Sequence, residues 1–328
     1  MDDFGFNRVL QTAGVFPQAA KTINASLPLT TGEVLIDVGI INIDSNSFRQ
    51  MKEACHADEN RMKEMILAIV AKNGKMHNPV TGSGGMLTGK VNATEGENWR
   101  GFLKGDKIAT LVSLTLTPLK IHKIISLKPN NSQVVIEGHA ILLPSSPAVR
   151  LPEDIKESVA LSALDVCGAP KLMQVYCEKE KSILILGGGK SGILSAIAAV
   201  DSGCTDISIL EQSTERINIL KNLNLPITII HANSKDIQNL KGYFQQFDLT
   251  FDCMNIPDTE MAAVVCTKKS GKIIYFNTAT SFTQAALGAE GIGSEVVMLI
   301  GNGFYPGHAE YCFELIRKYS FLTKLLNE

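Results

Sequence analysis

The pattern of apolar and polar positions along the chain changes near Pro152. After this residue, short apolar runs alternate with segments of helical periodicity, which predicts β–α repeats. Six of the runs predict strands, namely Ile183–Leu186, Ile207–Leu210, Ile227–Ile230, Leu249–Cys253, Lys272–Phe276 and Glu295–Ile300. Strands separated by helices pair in parallel, so we expect an α/β fold with a doubly wound Rossmann sheet over residues 153–305.

Before Pro152 the pattern is dominated by strands and turns. Three segments are rich in apolar and β-branched residues and predict strands, namely Glu33–Val38, Lys107–Leu114 and Gln133–Leu143. A helix is expected within residues 47–73, and the many glycines of residues 76–91 predict loops. Strands with few helices predict a small β-barrel-like domain over residues 1–152.

The first strand of the predicted parallel sheet leads into a glycine-rich turn. Gly187, Gly189 and Gly192 fit the pattern G-x-G-x-x-G, and a helical pattern follows them. The first glycine permits a tight turn, the second lets a pyrophosphate approach the backbone, and the third lets the helix pack on the strand. Lys190 and Ser191 lie inside this turn, where we expect them to contact the phosphates of a bound dinucleotide.

The next predicted strand ends in an acidic residue, Glu211, which follows Gly192 by 19 positions. A carboxylate at this spacing accepts hydrogen bonds from the ribose diol of NAD, and it repels the 2′-phosphate of NADP. Glu211 therefore favours NAD, although Arg216, five residues on, keeps NADP open. Four further residues are expected to contact the cofactor from the later strands and their loops, namely Met254, Asn277, Thr278 and Asn302.

Composition narrows the class of protein further. The chain has 328 residues, of which 45% are apolar and 20% are charged, and its formal net charge is -2. This length predicts about two globular domains. The nearly neutral charge argues against nucleic-acid binding, and the apolar runs are too short for a membrane span. The first residues lack the basic and apolar regions of a signal peptide, so we expect a cytoplasmic protein.

The order of the two domains and three separate motifs resemble the medium-chain dehydrogenase/reductase superfamily. The motifs are Glu33–Asp44, Pro79–Val91 with Gly105–Ile108, and Phe247–Asn255. The resemblance implies a GroES-like substrate domain over residues 1–152, joined by the C-terminal helix of residues 306–328, and a Rossmann domain that binds NAD or NADP.

Two departures from the zinc-dependent members point to a zinc-free protein. Those members have a cysteine where this chain has Ile41, and their Gly-His-Glu segment corresponds to Gly82–Gly84. The seven cysteines are scattered and never form C-x-x-C, which is typical of reduced thiols. We therefore expect no metal site.

Within the superfamily, Phe16–Lys21, Ile36–Phe48 and Gly187–Gly192 resemble an amine-dehydrogenase family of lysine fermentation whose substrate is 3,5-diaminohexanoate. This resemblance implies oxidation of a carbon that carries an amine, with release of ammonium. Two alternatives stay open, which are a zinc-free carbonyl, quinone or enoyl reductase and a nucleotide-binding protein without catalysis. We also expect a homodimer, because Glu295–Ile300 forms a sheet edge that a second copy can extend.

Oxidation of an amine requires a base, because hydride cannot leave readily from a carbon that carries an ammonium group. Asp44 is the first candidate by resemblance, and a cap of the following turn is an equally good reading. Glu95 lies in a polar segment, where it either binds an ammonium group or is only solvated.

Three more residues surround or belong to the glycine-rich segment of the first domain. Ser83 occupies the position of the missing metal-binding histidine, although turn formation alone explains a serine there. Lys75 and His77 precede the segment and are candidates for binding the substrate carboxylate or for the base. A single histidine is more often structural than catalytic.

Overall fold

The computed structural model describes residues 4–11, 14–97 and 100–327. These residues form two compact units, of which the first runs to Asp165 and takes in the chain from Thr323 onward. The second unit is Val166–Leu322. The boundary thus falls 13 residues later than the sequence pattern predicts, because the helical segment after Pro152 packs on the strands of the first unit.

The described part of the first unit is built on antiparallel strands. Its strands are β1 (Val9–Leu10), β2 (Thr22–Ile23), β3 (Val34–Asn42), β4 (Met86–Thr94), β5 (Lys107–Thr110), β6 (Leu119–Lys128), β7 (Gln133–Leu142) and β8 (Ala148–Arg150). The last six form one sheet in the order β6-β7-β3-β4-β5-β8, and β1 pairs with β2. Three helices accompany them, namely α1 (Ser45–Ala54), α2 (Glu59–Asn73) and α3 (Glu157–Leu164).

The prediction of loops throughout residues 76–91 was wrong for β4. This nine-residue strand pairs with β3, and its Gly89 lies so close that an added Cβ would be 2.3 Å from the Asp37 carbonyl oxygen. Gly89 thus allows close packing of two strands, whereas residues 76–85 form the loop that the glycines predict. The predicted strand at Lys107–Leu114 is correspondingly shorter, because it ends at Thr110.

The helical region within residues 47–73 consists of two helices. Asp58 caps the second one by accepting hydrogen bonds from two backbone N–H groups, and Gly74 ends it with a φ of 67°. Met62, Ile66 and Val70 recur at every fourth position and lie buried in the core beneath the sheet. This spacing places them on one face of α2.

The second unit contains one parallel sheet with helices between its strands. Its strands are β9 (Ile183–Leu186), β10 (Ile207–Glu211), β11 (Thr228–His231), β12 (Phe247–Asp252), β13 (Thr267–Tyr275) and β14 (Val297–Ile300). Its helices are α4 (Gly168–Tyr176), α5 (Lys190–Asp201), α6 (Thr214–Asn222), α7 (Glu260–Cys266), α8 (Phe282–Gly291) and α9 (His308–Lys318), and α10 (Phe321–Leu325) follows at the boundary.

The sheet order is β11-β10-β9-β12-β13-β14, with every neighbouring pair parallel. This is the doubly wound order, and the predicted Rossmann sheet is confirmed. The chain reverses direction across the sheet at β9 and β12, where dinucleotides bind in folds of this type. Helix α9 packs on α4 and belongs to the second unit, so only the chain from Thr323 onward, out of the predicted segment of residues 306–328, belongs to the first. No described helix has the length and apolar character to span a membrane.

Candidate functional site

The glycine turn after β9 has the backbone that a phosphate cradle requires. Gly187 has a φ of 96°, a conformation that favours glycine. A Cβ added to Gly192 would lie 1.9 Å from the carbonyl oxygen of Gly187, so only glycine lets α5 pack this closely on the turn. Side chains at these positions would fill the cradle, and the turn therefore fits a dinucleotide.

Helix α5 begins at Lys190, and Gly189 caps it without any side-chain hydrogen bond. The first N–H groups of this helix are thus the donors available to an anion, and the helix dipole favours negative charge at this end. Lys190 and Ser191 lie in the first turn of the helix. A guanidinium nitrogen of Arg216 would be 3.2 Å from a Cβ on Gly189, which places this cation against the glycine turn.

Glu211 ends β10 and is buried beside the glycine turn. Its Oε2 accepts a hydrogen bond from the Gly188 N–H at 2.8 Å. Its Oε1 accepts hydrogen bonds from the N–H groups of Gln212 and Ser213, each at 2.8 Å. Three backbone donors therefore hold the carboxylate next to the turn, and its contact with a ribose stays a prediction.

The residues expected near the cofactor from the later strands occupy two loops. Met254 follows β12 and packs on Gly187, where an added Cβ would be 3.0 Å from its Cγ. Asn277 follows β13, and its Oδ1 accepts hydrogen bonds from the N–H groups of residues 279 and 280. Thr278 donates to the Asn255 side chain at 3.0 Å and so joins the two loops. Asn302 follows β14, is exposed, and accepts from the Phe304 N–H.

In the first unit, Asp44 caps helix α1 through its Oδ1, which accepts from the Ser47 N–H at 3.0 Å. Its second oxygen, Oδ2, is buried and has no hydrogen-bond partner among the described residues. A carboxylate oxygen in this state needs a donor. Gly85 packs against the backbone here, since an added Cβ would be 1.8 Å from the Asn42 carbonyl oxygen.

Two hydroxyl groups that the sequence analysis missed lie close to this cap. Ser47 is fully buried, and its Oγ is 2.5 Å from Oγ1 of Thr81. Ser83 is partly buried in the same turn, and its carbonyl oxygen accepts from the Asn78 N–H at 2.9 Å. The sequence carried only a weak signal for this group, because an aspartate such as Asp44 is a favoured N-cap and predicts no more than a helix start.

Lys75 and His77 lie in the segment that joins α2 to β4. Lys75 is fully buried, and its ammonium donates to the carbonyl oxygens of Pro17 and Gln18 at 2.6 and 3.0 Å. Burial lowers the pKa of Lys75 to about 8. Burial, and then the charge of Lys75, lowers the pKa of His77, which keeps this imidazole neutral at neutral pH.

Glu95 lies at the opposite end of β4 from the other candidates of the first unit. Asn42 pairs with Met86 at the start of β4, whereas Glu95 follows the last residue of this nine-residue strand and is exposed. A strand of this length spans about 30 Å. The structure therefore groups Asp44 with Ser83, and it does not bring Glu95 to them.

The described residues contain no group of three or more His, Cys, Asp or Glu arranged to hold a metal ion. Cys253, next to the glycine turn, lies in a buried setting that raises the pKa of its thiol, so it is a poor nucleophile. The second unit thus carries the glycine cradle, and the first unit carries a polar group around Asp44.

The fold and the glycine cradle are those of the medium-chain dehydrogenases. A solved alcohol dehydrogenase from Thermotoga maritima has this fold, with a TM-score of 0.56 and 13% identity over 91% of this chain and 85% of its own. The family model for the N-terminal domain of L-erythro-3,5-diaminohexanoate dehydrogenase matches residues 7–152.

Two curated proteins named L-erythro-3,5-diaminohexanoate dehydrogenase match nearly the whole chain. The one from Fusobacterium nucleatum is 40% identical over 99% of this chain and 97% of its own length. The one from Acetoanaerobium sticklandii is 39% identical over 96% of this chain and 95% of its own. The chain belongs to the L-erythro-3,5-diaminohexanoate dehydrogenase family, and the expected class of oxidoreductase is confirmed.

Proposed function

We propose that this protein oxidises the C3 amine of L-erythro-3,5-diaminohexanoate with NAD. Substrate, NAD⁺ and water give 5-amino-3-oxohexanoate, ammonium, NADH and one proton. Family membership over the full chain supports the reaction. The observation that carries the proposal is the buried Oδ2 of Asp44, which lacks a donor among the described residues, because a substrate ammonium supplies one.

The choice of NAD rests on Glu211. Its carboxylate is held beside the glycine turn by three backbone N–H groups, where a ribose diol finds an acceptor and a 2′-phosphate meets a negative charge. Arg216 lies against Gly189 and offers a cation to the pyrophosphate. The carboxylate of Glu211 and the guanidinium of Arg216 then both bind NAD, and neither of them needs a 2′-phosphate.

The chain supplies the proton steps of the reaction. A nicotinamide held by the glycine turn would supply the hydride acceptor for the carbon that carries the amine. Asp44 binds this ammonium and takes its proton, which leaves a neutral amine whose lone pair assists the loss of hydride. His77, neutral because its pKa is lowered, is the second candidate for the base. Water then adds to the imine carbon, and ammonia leaves after it regains a proton.

The hydroxyl groups near Asp44 complete this substrate site. Ser47 and Thr81 share one short contact, so one of the two oxygens keeps a free acceptor or donor position. Ser83 adds a third hydroxyl from the same turn. A substrate with two amines and one carboxylate offers matching groups, and a simple alcohol offers fewer.

We propose that the protein forms a homodimer through β14. Among the described strands, β14 pairs only with β13, and its Val297 and Ile300 are 50% and 69% exposed. An unpaired apolar edge of this kind favours pairing with a second copy. Sedimentation tests this directly, with Ile300→Lys as the variant that should dissociate the dimer. A wild-type monomer at micromolar concentration rules the dimer out.

The reaction is tested by reduction of NAD and NADP with 3,5-diaminohexanoate, alongside simple alcohols and the reverse reaction with carbonyls. The expected result is turnover of the diamine with stoichiometric ammonium, unchanged by a chelator. Turnover of alcohols or carbonyls without turnover of the diamine supports a reductase of the same fold instead. No turnover of any substrate, together with tight binding of NADH, supports a nucleotide-binding protein without catalysis.

A further inference from the structure

Two acidic side chains lie buried in the second unit, where the carboxyl ends of the strands meet the loops. Asp252 ends β12 and is fully buried, and Glu260 begins α7 and is 2% exposed. Neither forms an ion pair with a described lysine, arginine or histidine. Because burial of a carboxylate is costly without a partner, the hydrogen bonds of these two groups should account for their presence.

The carboxylate of Asp252 accepts two hydrogen bonds from the loop that follows its own strand. Its Oδ1 accepts from the Met254 N–H at 2.9 Å, and its Oδ2 accepts from the Thr259 hydroxyl at 3.3 Å. The two donors stand at the start and the end of the loop of residues 253–259. Asp252 therefore fixes both ends of this loop.

Asp252 and Glu260 also hold the loop after β13. The backbone carbonyl oxygen of Asp252 accepts from the Phe276 N–H at 2.8 Å and from the Asn277 side chain at 3.4 Å. Oε1 of Glu260 accepts from the N–H of Ser281 at 2.6 Å, and Ser281 is the N-cap of α8. The loop of residues 276–281 is thus anchored at both ends.

The position of these loops relative to the glycine turn assigns them to one half of a dinucleotide. Glu211, on β10, marks the side of the adenosine ribose. The phosphates belong at the glycine turn after β9, and β12 lies on the other side of β9. The loops after β12 and β13 therefore lie on the nicotinamide side, where Met254 already packs on Gly187.

We propose that Asp252 and Glu260 are positioning residues that hold loops 253–259 and 276–281 in the arrangement needed by the nicotinamide half of the cofactor. The proposal rests on the proposed binding of a nicotinamide dinucleotide. Neither side chain touches the reacting atoms. Each acts through the loop residues that it orients, among them Met254 and Asn277.

The hydrogen-bond geometry of Asp252 matters here rather than its charge. Burial raises the pKa of Asp252 to about 7, and the charge of Glu260 adds to this, against the hydrogen bonds from Met254 and Thr259. An asparagine keeps an oxygen for the Met254 N–H and presents an amide to Thr259. The Thr259 hydroxyl then accepts this amide and donates to the Ile256 carbonyl oxygen, which is 3.5 Å away.

The test compares two ligands that share the adenosine half. NADH and ADP-ribose are titrated against the wild type and against Asp252→Ala, Asp252→Asn, Glu260→Ala and Glu260→Gln. We expect the two alanine variants to weaken NADH binding by about tenfold and to leave ADP-ribose binding within about twofold, since a hydrogen-bond network of this kind contributes at that scale. The Asn and Gln variants should bind NADH within about threefold of the wild type.

Asp248, near the other end of β12 from Asp252, provides a matched control. Asp248 accepts from the Ser182 N–H and from Lys268 at 3.0 and 2.8 Å, far from the loops. Asp248→Ala should lower the melting temperature and leave both dissociation constants unchanged. Thr259→Val, which removes one anchor while preserving shape, should weaken NADH binding about threefold if Asp252→Ala does not fold.

The outcomes separate this inference from the proposed function. Folded Asp252→Ala and Glu260→Ala proteins that bind NADH like the wild type overturn the positioning role, as does an equal loss for NADH and ADP-ribose. An Asp252→Asn variant as weak as Asp252→Ala overturns the statement that geometry outweighs charge. A wild-type protein that binds neither NADH nor NADPH instead overturns the proposed cofactor.

Discussion

The carboxylate of Glu211 accepts a hydrogen bond from the backbone N–H of Gly188 at 2.8 Å. This bond joins the end of β10 to the glycine turn after β9, so the carboxylate that we propose binds the ribose is held against the turn that we propose binds the phosphates. A Cβ on Gly188 would meet the same carboxylate oxygen at 3.2 Å, which shows how closely the two elements approach.

Replacement of Glu211 by glutamine should shift the preference from NAD toward NADP. The variant loses the charge that repels a 2′-phosphate and weakens a charge-assisted hydrogen bond, a change of about 1.5–3 kcal/mol or roughly 10- to 100-fold. Titration of both reduced cofactors measures the ratio. Glu215→Gln, an exposed neighbour at the start of α6, is the control and should leave the ratio unchanged. An unaltered ratio in Glu211→Gln contradicts the assignment.

Gly192→Ala should abolish dinucleotide binding and destabilise the second unit. Its Cβ would lie 1.9 Å from the carbonyl oxygen of Gly187, so α5 must move away from the turn. Overpacking of this kind costs about 1–3 kcal/mol or more. Gly242→Ala is the matched control, because nothing lies within 4 Å of its added Cβ. Thermal unfolding and NADH titration of both variants decide the matter, and equal behaviour of the two would be evidence against the close approach.

Asp44→Asn should lower kcat/KM for the diamine by about 100-fold, since the variant loses the charge that binds the ammonium and accepts its proton. NADH binding should stay unchanged, because Asp44 belongs to the first unit and the cradle to the second. Asp37→Asn, which changes an exposed residue on β3, the strand that precedes Asp44, serves as the control. Normal turnover in Asp44→Asn would transfer the role of the base to His77, and His77→Gln then becomes the informative variant.

Arg8→Met should be strongly destabilising. Arg8 is 3% exposed, and its Nε donates to Oε1 of the fully buried Glu33 at 2.8 Å. Removal of one partner of a buried ion pair leaves the other charge unpaired and costs about 3–5 kcal/mol. Urea unfolding measures the difference. Arg61→Met, which removes an exposed pair with Asp58, should cost less than about 1 kcal/mol. Similar losses for the two variants would show that the buried pair contributes little.

The stability of the first unit should depend on pH through Lys75. Burial lowers its pKa from 10.5 to about 8, so between these values the unfolded chain binds more protons than the folded one. The free energy of unfolding therefore gains a contribution that rises with pH from about 8 to 10.5, because the cost of the buried charge disappears. Lys75→Met should lack this rise. Urea unfolding at several pH values compares the slopes, and parallel curves would mean that the ammonium stays charged throughout.

Local patterns of the sequence determined the second unit almost completely. The apolar runs predicted six parallel strands, because a strand covered by helices on both faces needs apolar residues at every position. The glycine spacing predicted the cradle, and the distance from Gly192 to Glu211 predicted the carboxylate beside it. These features depend on residues close in sequence and on one βαβ unit, so a local pattern suffices to identify them.

The environments of several glycine and charged residues could be established only from the tertiary structure. The glycines of residues 76–91 look like turn residues, yet Gly89 lets β4 approach β3, and only the pairing of the strands shows this. Lys75 was a candidate for binding the substrate carboxylate or for the base, but its ammonium is buried against carbonyl oxygens 58 and 57 positions away in the sequence. The positioning role that we propose for Asp252 and Glu260 depends on two loops that come together only in the folded protein. In each case, the contribution of a polar residue or a glycine to the stability of the fold depends on partners that are distant in sequence. A local sequence pattern cannot predict such partners, because only folding brings them into contact.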